Sequence, residues 1–247
     1  MEPEVIIVEI NGTGKYKVFS TGVLFVECTK EEVLQHFDGK LHMFILVNSN
    51  IDKSTIRKIS GYFFENSQLE SMSVMYSSVS TSLALGVQSL ISISIENGPD
   101  NCVSWSVDLV YKCSLITAHS YTGVSAYDVF VDKMLDMLHE PVYKEKTANV
   151  HIKGDPELVK KATAELLGRN VAFVPEEDPL EDVAEDGYRL VQFPKYFTAY
   201  MPHNLLPDSN IAYVGAVLTI MINYFEIKEV HMREDFEVGH TKYLLLN

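Results

Sequence analysis

The amino-acid sequence predicts an α/β fold in which helices cover a mixed sheet. One observation is a pattern of alternating apolar and polar residues that reverses at Asn-Gly, a dipeptide typical of tight β-hairpins. This pattern occurs twice, from Glu4 to about Cys28 and from Leu90 to about Cys113. The other observation is that strand and helix patterns alternate after the first meander, which indicates parallel strands beside the antiparallel ones.

The first half of the chain carries the clearer element signals. Gly86 follows an apolar-periodic segment and tolerates the left-handed conformation that ends helices. Helices are predicted at about 30–37, from a cap at Asp52 or Ser54 to about Phe64, and at Ser77–Leu85. Strands are predicted at Glu4–Ile10, Lys15–Ser20, Gly22–Glu27, Met43–Val47 and Met72–Met75, and across the second meander from Leu90 to Ala118.

The second half has fewer and weaker signals. Asp155 as N-cap and Pro156 as first helical residue predict a helix through Leu167. Further helices are predicted at Ser125–His139 and Ser209–Phe225, and strands at Asn149–Ile152 and Val171–Val174. The apolar residues of the last helix predict a buried core segment, and a partner-binding face is the alternative.

An acidic segment spans about residues 175–188. Seven acidic residues and no basic one lie between Arg169 and Arg189, together with Pro175 and Pro179. Self-repulsion and the prolines predict a mobile loop. Two interpretations stay open: a solvated connector, or a docking segment for a basic partner.

Composition and charge exclude several classes of function. The chain has 247 residues, 47% of them apolar, which is enough for a continuous core. A formal charge of -14 argues against binding to nucleic acid or to an anionic membrane surface. The three cysteines lack CxxC spacing, which indicates reduced thiols in the cytosol, and the dispersed histidines offer no zinc motif. We expect neither a secretory signal nor a membrane span.

Four segments follow one another along the chain: "IIVEINGTGKYKVF", "MYSSVSTSLALGVQSLISISIENG", "DKMLDMLHEPVYKEKTANVHIKGDPELVKKATAEL" and "IAYVGAVLTIMINYFEIKEVHMREDFEVGH". In this order they resemble segments of the actin-related proteins. The first resembles the actin first phosphate loop, and the second resembles the approach to the second phosphate loop. The third resembles the stretch before the adenine-side glycine loop, and the fourth resembles the carboxy-terminal helix. The resemblance implies an actin-like, ribonuclease H-like duplicated mixed sheet with flanking helices and reduced outer lobes. It implies a first lobe at 1–122 and a second at 123–247, with the C-terminal helix and tail returning to the first lobe.

The first phosphate loop departs from the family pattern. Aligning Asn11-Gly12-Thr13-Gly14 with the family's Asn-Gly-Ser-Gly puts Ile10 where the family has a metal-positioning aspartate. Glu9 is adjacent, but alternation along a strand directs its side chain to the opposite face. The loop therefore lacks the carboxylate that would hold a magnesium water shell.

The other nucleotide contacts implied by the resemblance also depart from the family pattern. The second loop reads Glu96-Asn97-Gly98-Pro99-Asp100, where Pro99 removes an amide donor and Asp100 adds repulsion. Ser77 stands where actins carry the glutamine that orients water. The adenine-side loop is reduced to Gly154 followed by Asp155 and Pro156. We expect no catalytic residues, no bound cofactor or metal, and weak or absent nucleotide binding.

The resemblance then implies a role in protein assembly. The phrase "LALGVQSLISIS" is similar to a run of the pointed-end class of actin-related proteins of dynactin, in its reduced fungal form. This class implies a non-catalytic adaptor that caps the dynactin filament and supports dynein transport on microtubules. Its partners would be the filament-forming subunit and other pointed-end subunits, in the cytoplasm. The alternatives are a subunit of a nuclear chromatin-remodelling complex and a weak ATP-binding member of the actin and sugar-kinase superfamily.

Overall fold

The computed structural model divides into two compact units, Met1–Leu85 with Ala212–Asn247, and Gly86–Ile211. The structure describes residues 5–11, 14–21, 24–37, 39, 41–98, 102–124, 129–130, 133, 149–170, 188–193, 197–202, 211–223 and 231–233. Each unit contains one six-stranded mixed sheet with helices packed against it.

The first unit is built on a sheet with the strand order β12-β5-β4-β1-β2-β3. Strand β1 pairs antiparallel with β2 and parallel with β4, β4 pairs parallel with β5, and β12 pairs antiparallel with β5. Its strands are β1 Val5–Ile10, β2 Tyr16–Thr21, β3 Leu24–Cys28, β4 His42–Val47, β5 Ser71–Tyr76 and β12 His231–Met232. Its helices are α1 Lys30–Val33, continued by a 3-10 turn at Leu34–His36, α2 Lys53–Asn66, α3 Ser77–Ala84 and α5 Ile211–Asn223.

Local capping fixes the start of the first two helices. Thr29 and Glu32 form a reciprocal capping box at α1, with the backbone N–H of Thr29 2.7 Å from a carboxylate oxygen of Glu32. Asp52 caps α2 by accepting hydrogen bonds from the backbone of Ser54 and Thr55 at 2.8 and 3.0 Å. Asp52, one of the two candidates, is therefore the cap.

One face of this sheet carries an apolar core. Alternate residues of β1, β4 and β5 point toward α1 and α2, and their burial provides the main stabilisation of the unit. The aromatic centre is Phe63, which meets Tyr16 edge-on with the ring centroids 6.3 Å apart. The fully or nearly buried members include Ile6, Val8, Ile10, Met43, Ile45, Val47, Phe63, Phe64, Met72 and Val74.

Helices α3 and α5 approach each other very closely. The hydroxyl of Ser80 donates to the carbonyl of Ala212 at 2.6 Å. A Cβ atom at Gly215 would overlap the backbone carbonyl of Ser80, so only glycine allows this approach. On the same helix, Tyr213 stacks on Phe19 of β2 with 4.4 Å between ring centroids. The last apolar helix therefore contributes to the core of the first unit.

The second unit repeats this arrangement, with the strand order β10-β11-β9-β6-β7-β8. Strand β6 pairs antiparallel with β7 and parallel with β9, β11 pairs parallel with β9, and β10 pairs antiparallel with β11. Position by position, the strand directions match those of the first sheet. The strands are β6 Ser89–Asn97, β7 Val103–Tyr111, β8 Ser114–Gly123, β9 Asn149–Gly154, β10 Tyr188–Phe193 and β11 Phe197–Pro202, with α4 at Pro156–Asn170.

Several sequence predictions can be compared directly. The α/β class, both meanders, the strand at 43–47 and the helix after Asp155 are confirmed, with ends shifted by one to five residues. Strands β10, β11 and β12 were not predicted. The predicted strand Val171–Val174, the acidic loop and most of the helix Ser125–His139 lie outside the described residues.

The compact units also divide the chain differently from the predicted lobes of 1–122 and 123–247. The meander β6–β8 belongs to the second unit, because β6 pairs with β9 over five residues from Ile91 to Ile95. Residues from Ala212 onward belong to the first unit, where α5 packs on α3. A return of the C-terminal helix and tail to the first lobe is what the resemblance implies. Hydrogen bonding between distant segments thus sets the division.

Candidate functional site

The turn after β1 uses its polar groups to hold its own shape. The backbone N–H of Asn11 donates to the carbonyl of Lys15 at 3.0 Å, and the N–H of Gly14 donates to the carbonyl of Asn11 at 3.0 Å. The side-chain oxygen of Asn11 accepts the N–H of Lys15 at 2.8 Å. Gly14 has a φ of 78°, a left-handed conformation that suits glycine. Asn11 is thus engaged by the hairpin itself.

The last two residues of β1 lie on opposite faces of the sheet, as predicted. Ile10 is 1% exposed and belongs to the apolar core with α1 and α2. Glu9 is 5% exposed and lies opposite Lys17 of β2 and Leu46 of β4. A hydrocarbon side chain at residue 10 cannot position a hydrated metal ion. Glu9 instead shares a sheet face with a cross-strand cation, a pairing that stabilises sheets.

The turn after β6 closes at Gly98, whose N–H donates to the carbonyl of Cys102 at 2.7 Å. Pro99 and Asp100, which are predicted to spoil this loop for phosphate, lie outside the described residues. Asn97 donates from its side-chain amide to the carboxylate of Asp155 at 2.9 Å. The second Asn-Gly dipeptide is therefore tied through Asn97 to the start of α4.

Gly154 and Asp155 serve the packing of the second unit. Gly154 has a φ of 129°, and a Cβ atom there would overlap the carbonyl oxygen of Ile95. The N–H of Asp155 donates to that same carbonyl at 2.8 Å. A side-chain oxygen of Asp155 accepts the N–H groups of Glu157 and Leu158 at 3.1 and 3.2 Å. The positive end of α4 is thus capped by a carboxylate of the chain, which would repel a phosphate.

Helix α3 begins directly after β5 and has no side-chain cap at its N-cap residue, Tyr76. Ser77 and Ser78 are both 3% exposed, and neither hydroxyl has a hydrogen-bond partner among the residues that the structure describes. Ser77 is the residue that the resemblance to actin-related proteins would align with the family's water-orienting glutamine. Its side chain is short and buried, and a hydroxyl supplies neither a general base nor an amide group that could orient a water molecule. The helix ends as predicted at Gly86, which has a φ of 66°.

A buried polar face on the second sheet was missed in the sequence. Ser92 of β6 lies between Asp108 of β7 and His151 of β9, and Ser94 lies between Ser106 and Lys153. These residues, with Ser104, are 0 to 7% exposed: Ser92, Ser94, Ser104, Ser106, Asp108, His151 and Lys153. The signal was present as serine at every second position of "ISISI" and "SWS", a pattern that normally indicates a solvent-facing strand.

This polar face does not form a catalytic triad. Asp108 and His151 flank Ser92 from opposite sides, so about 10 Å separates their backbones, twice the strand spacing. A triad needs the carboxylate in hydrogen-bond contact with the imidazole. Asp108, His151 and Lys153 each take part in further interactions. The face is chemically suited to polar packing rather than to nucleophilic attack.

Metal and redox chemistry find little support in the described part of the chain. Among those residues, no group of three or more His, Cys, Asp or Glu side chains could hold a metal ion. The three cysteines are free thiols, and burial raises the pKa of Cys28, with the Glu32 carboxylate adding to the shift. A higher pKa leaves less thiolate, so Cys28 is a poor nucleophile. No described helix is long and apolar enough to cross a membrane.

Comparison with known proteins found no match, either among protein-family models or among curated proteins.

Proposed function

We propose that this chain is a non-catalytic adaptor with a reduced actin-like fold, acting through protein contacts at the end of an actin-related filament. The observation that carries the proposal is the repeated sheet. Both units contain an antiparallel meander followed by parallel strands on the same side, in the same order and directions. In both, the Asn-Gly dipeptide connects the first and second strands of the meander. A duplicated sheet of this kind is what the resemblance to actin-related proteins implies.

The local chemistry of the turns supports a role without catalysis. A nucleotide site of this family needs free backbone donors, an open helix N-terminus and a carboxylate for the metal. Here Ile10 is in the core, the carboxylate of Asp155 occupies the start of α4, and Asn11 is bonded within its own turn. Each lost charge-assisted hydrogen bond costs about 1.5 to 3 kcal/mol, so the loss of several would weaken ATP binding from micromolar to millimolar.

The segments that separate this chain from actins support a cap rather than a filament subunit. The segments that it lacks relative to actins belong to the outer lobes, which contact the next subunit along a filament. A subunit without them could occupy a filament end but could not extend the filament. We therefore propose the dynactin pointed end as its place and the cytoplasm as its compartment.

A filament-end assay tests this proposal. Filaments of the actin-related dynactin subunit are diluted below their critical concentration with and without the purified full-length chain, and shortening at each end is followed by fluorescence microscopy. We expect slower shortening at the pointed end, at a stoichiometry of about one chain per filament, with the opposite end unaffected. Binding along the filament sides, or no effect at either end, would contradict the proposal.

Localisation separates the proposal from its nuclear alternative. A fluorescently tagged chain in cells is expected to follow the filament-forming dynactin subunit and to co-purify with it. Accumulation in the nucleus together with chromatin-remodelling ATPases would instead support the alternative.

A further inference from the structure

The outer edge of β8 differs from the other sheet edges in the described chain. Strand β8 runs for ten residues, Ser114–Gly123, and pairs with β7 on one side. Its sequence contains no acidic residue, no lysine, no arginine and no proline. Five consecutive residues, from Ala118 to Thr122, are exposed. Its pairing with β7 is interrupted once, by a register shift between Leu109 and Val110, and is regular from Thr117 to Gly123. A long, uncharged edge is a template for a further strand.

The equivalent edge of the first sheet has the features that block strand addition. Strand β3 is five residues long, Leu24–Cys28. Glu27 places a charge on it beside Lys15 at 3.8 Å. Both edge pairings contain one register shift, so the two edges differ in length and charge. Short length and charge are usual protections of an edge. The two sheets share one topology, so the unprotected state of β8 is not imposed by the fold.

The backbone and side chains of β8 suit a partner strand. From Thr117 to Gly123, its pairing with Val103–Leu109 is regular, so alternate residues direct their N–H and C=O groups away from β7. Within the described residues these outward groups have no partner. Large apolar side chains are exposed along the strand and just beyond it: Ile116 at 49%, Tyr121 at 42% and Val124 at 73%.

We propose that the edge of β8 binds an extended, basic segment of a partner protein as an added strand. The charge of the chain selects this occupant. A second copy would bring another -14 and be repelled at long range, whereas a basic segment would be attracted. The strand itself carries no charge, so pairing would bury no unpaired ion there. This inference rests on the proposed adaptor function, because it requires a protein partner. The edge of β8 is the surface that would receive that partner.

The probe is a synthetic nine-residue peptide of alternating threonine and valine with a lysine at each end. Amide hydrogen exchange of the isotopically labelled full-length chain is measured by NMR at millimolar peptide. Two control peptides accompany it: one is N-methylated at alternate residues, which removes the pairing donors, and one carries glutamate in place of lysine. Added strands bind through main-chain hydrogen bonds, so these controls separate pairing from charge.

We expect the basic peptide to slow exchange in residues 117–123 at least tenfold, the glutamate peptide to do so less, and the N-methylated peptide not at all. Ser120→Lys places a charge on the exposed edge and should abolish the effect. Val26→Lys, the matched change on β3, should leave it intact. No protection of β8, or equal protection by the N-methylated peptide, would overturn the inference.

Sedimentation of the chain without peptide tests whether a second copy of the chain binds the edge of β8 instead. A dimer that Ser120→Lys converts to a monomer would show that a second copy binds there, and would overturn the choice of partner. The filament assay stays independent of this result. A chain that binds the basic peptide but has no effect on filament ends refutes the proposed function and not strand addition, whereas the reverse result refutes strand addition alone.

Discussion

Replacing Gly154 with alanine tests whether this glycine exists for packing rather than for approach to a ligand. Gly154 ends β9 with a φ of 129°, and its Cβ position lies far within 3.0 Å of the carbonyl oxygen of Ile95, a separation that real Cβ atoms essentially never show. That oxygen belongs to β6, which is paired on both sides, with β7 and with β9. The backbone therefore cannot yield without weakening a ladder.

Two costs add in this variant. A non-glycine residue in such a conformation costs about 1 to 3 kcal/mol, and overpacking against a rigid neighbour costs about the same again. The sum is about 2 to 6 kcal/mol, a large part of the roughly 5 to 15 kcal/mol that stabilises a typical domain. With a denaturant slope of about 2 kcal/mol per molar urea, the midpoint should fall by about 1 to 3 M.

Urea unfolding followed by tryptophan fluorescence reports this change. Trp105 is the only tryptophan, is 3% exposed and packs against Phe130 at 5.7 Å between ring centroids, within the second unit. Gly86→Ala is the matched control, because Gly86 also has a positive φ but has no atom within 4 Å of the added Cβ. Gly86→Ala should lower the free energy of unfolding by only about 1 to 2 kcal/mol. Equal losses in Gly154→Ala and Gly86→Ala would refute the packing argument.

Two further predictions concern a turn and an ionisation. Lys112 and Cys113 form the β7–β8 turn with φ values of 51° and 58°, which Asn and Gly adopt more readily. The double change Lys112→Asn with Cys113→Gly should stabilise the second unit by about 1 kcal/mol in the same fluorescence assay, and a lower midpoint would contradict this. Burial raises the pKa of Tyr16 from about 10 to about 12, with the Glu31 carboxylate as the next cause. The neutral phenol is thus favoured in the fold, so its stabilising contribution is complete below pH 10 and is lost as the pH rises through 12. Tyr16→Phe should reduce this loss in the first unit, measured by circular dichroism, and an identical pH profile in both proteins would contradict the assignment.

Short-range signals predicted much of the fold. The Asn-Gly dipeptides, the cap at Asp155 and the glycine stop at Gly86 act through bonds to residues within a few positions, so the sequence around them was sufficient. The opposite orientations of Glu9 and Ile10 followed from strand alternation alone. Such features need no knowledge of distant segments.

Long-range pairing explains what was missed. Strand β11 is held against β9 by pairs such as Thr198 with Asn149, which lie far apart in the sequence. The polar face around Ser92 resembles an exposed strand in sequence, and its burial depends on segments that pack over it. The same reason explains why β6–β8 belong to the second unit although they follow the first unit's strands in the chain.

Calorimetric titration of the full-length chain with ATP and magnesium tests most directly whether the protein acts by contact rather than by chemistry. The engaged turn at Asn11, the buried Ile10 and the capped start of α4 predict a dissociation constant no tighter than about 1 mM, with no phosphate release. Micromolar binding that Glu96→Gln weakens, accompanied by phosphate release, would contradict the account.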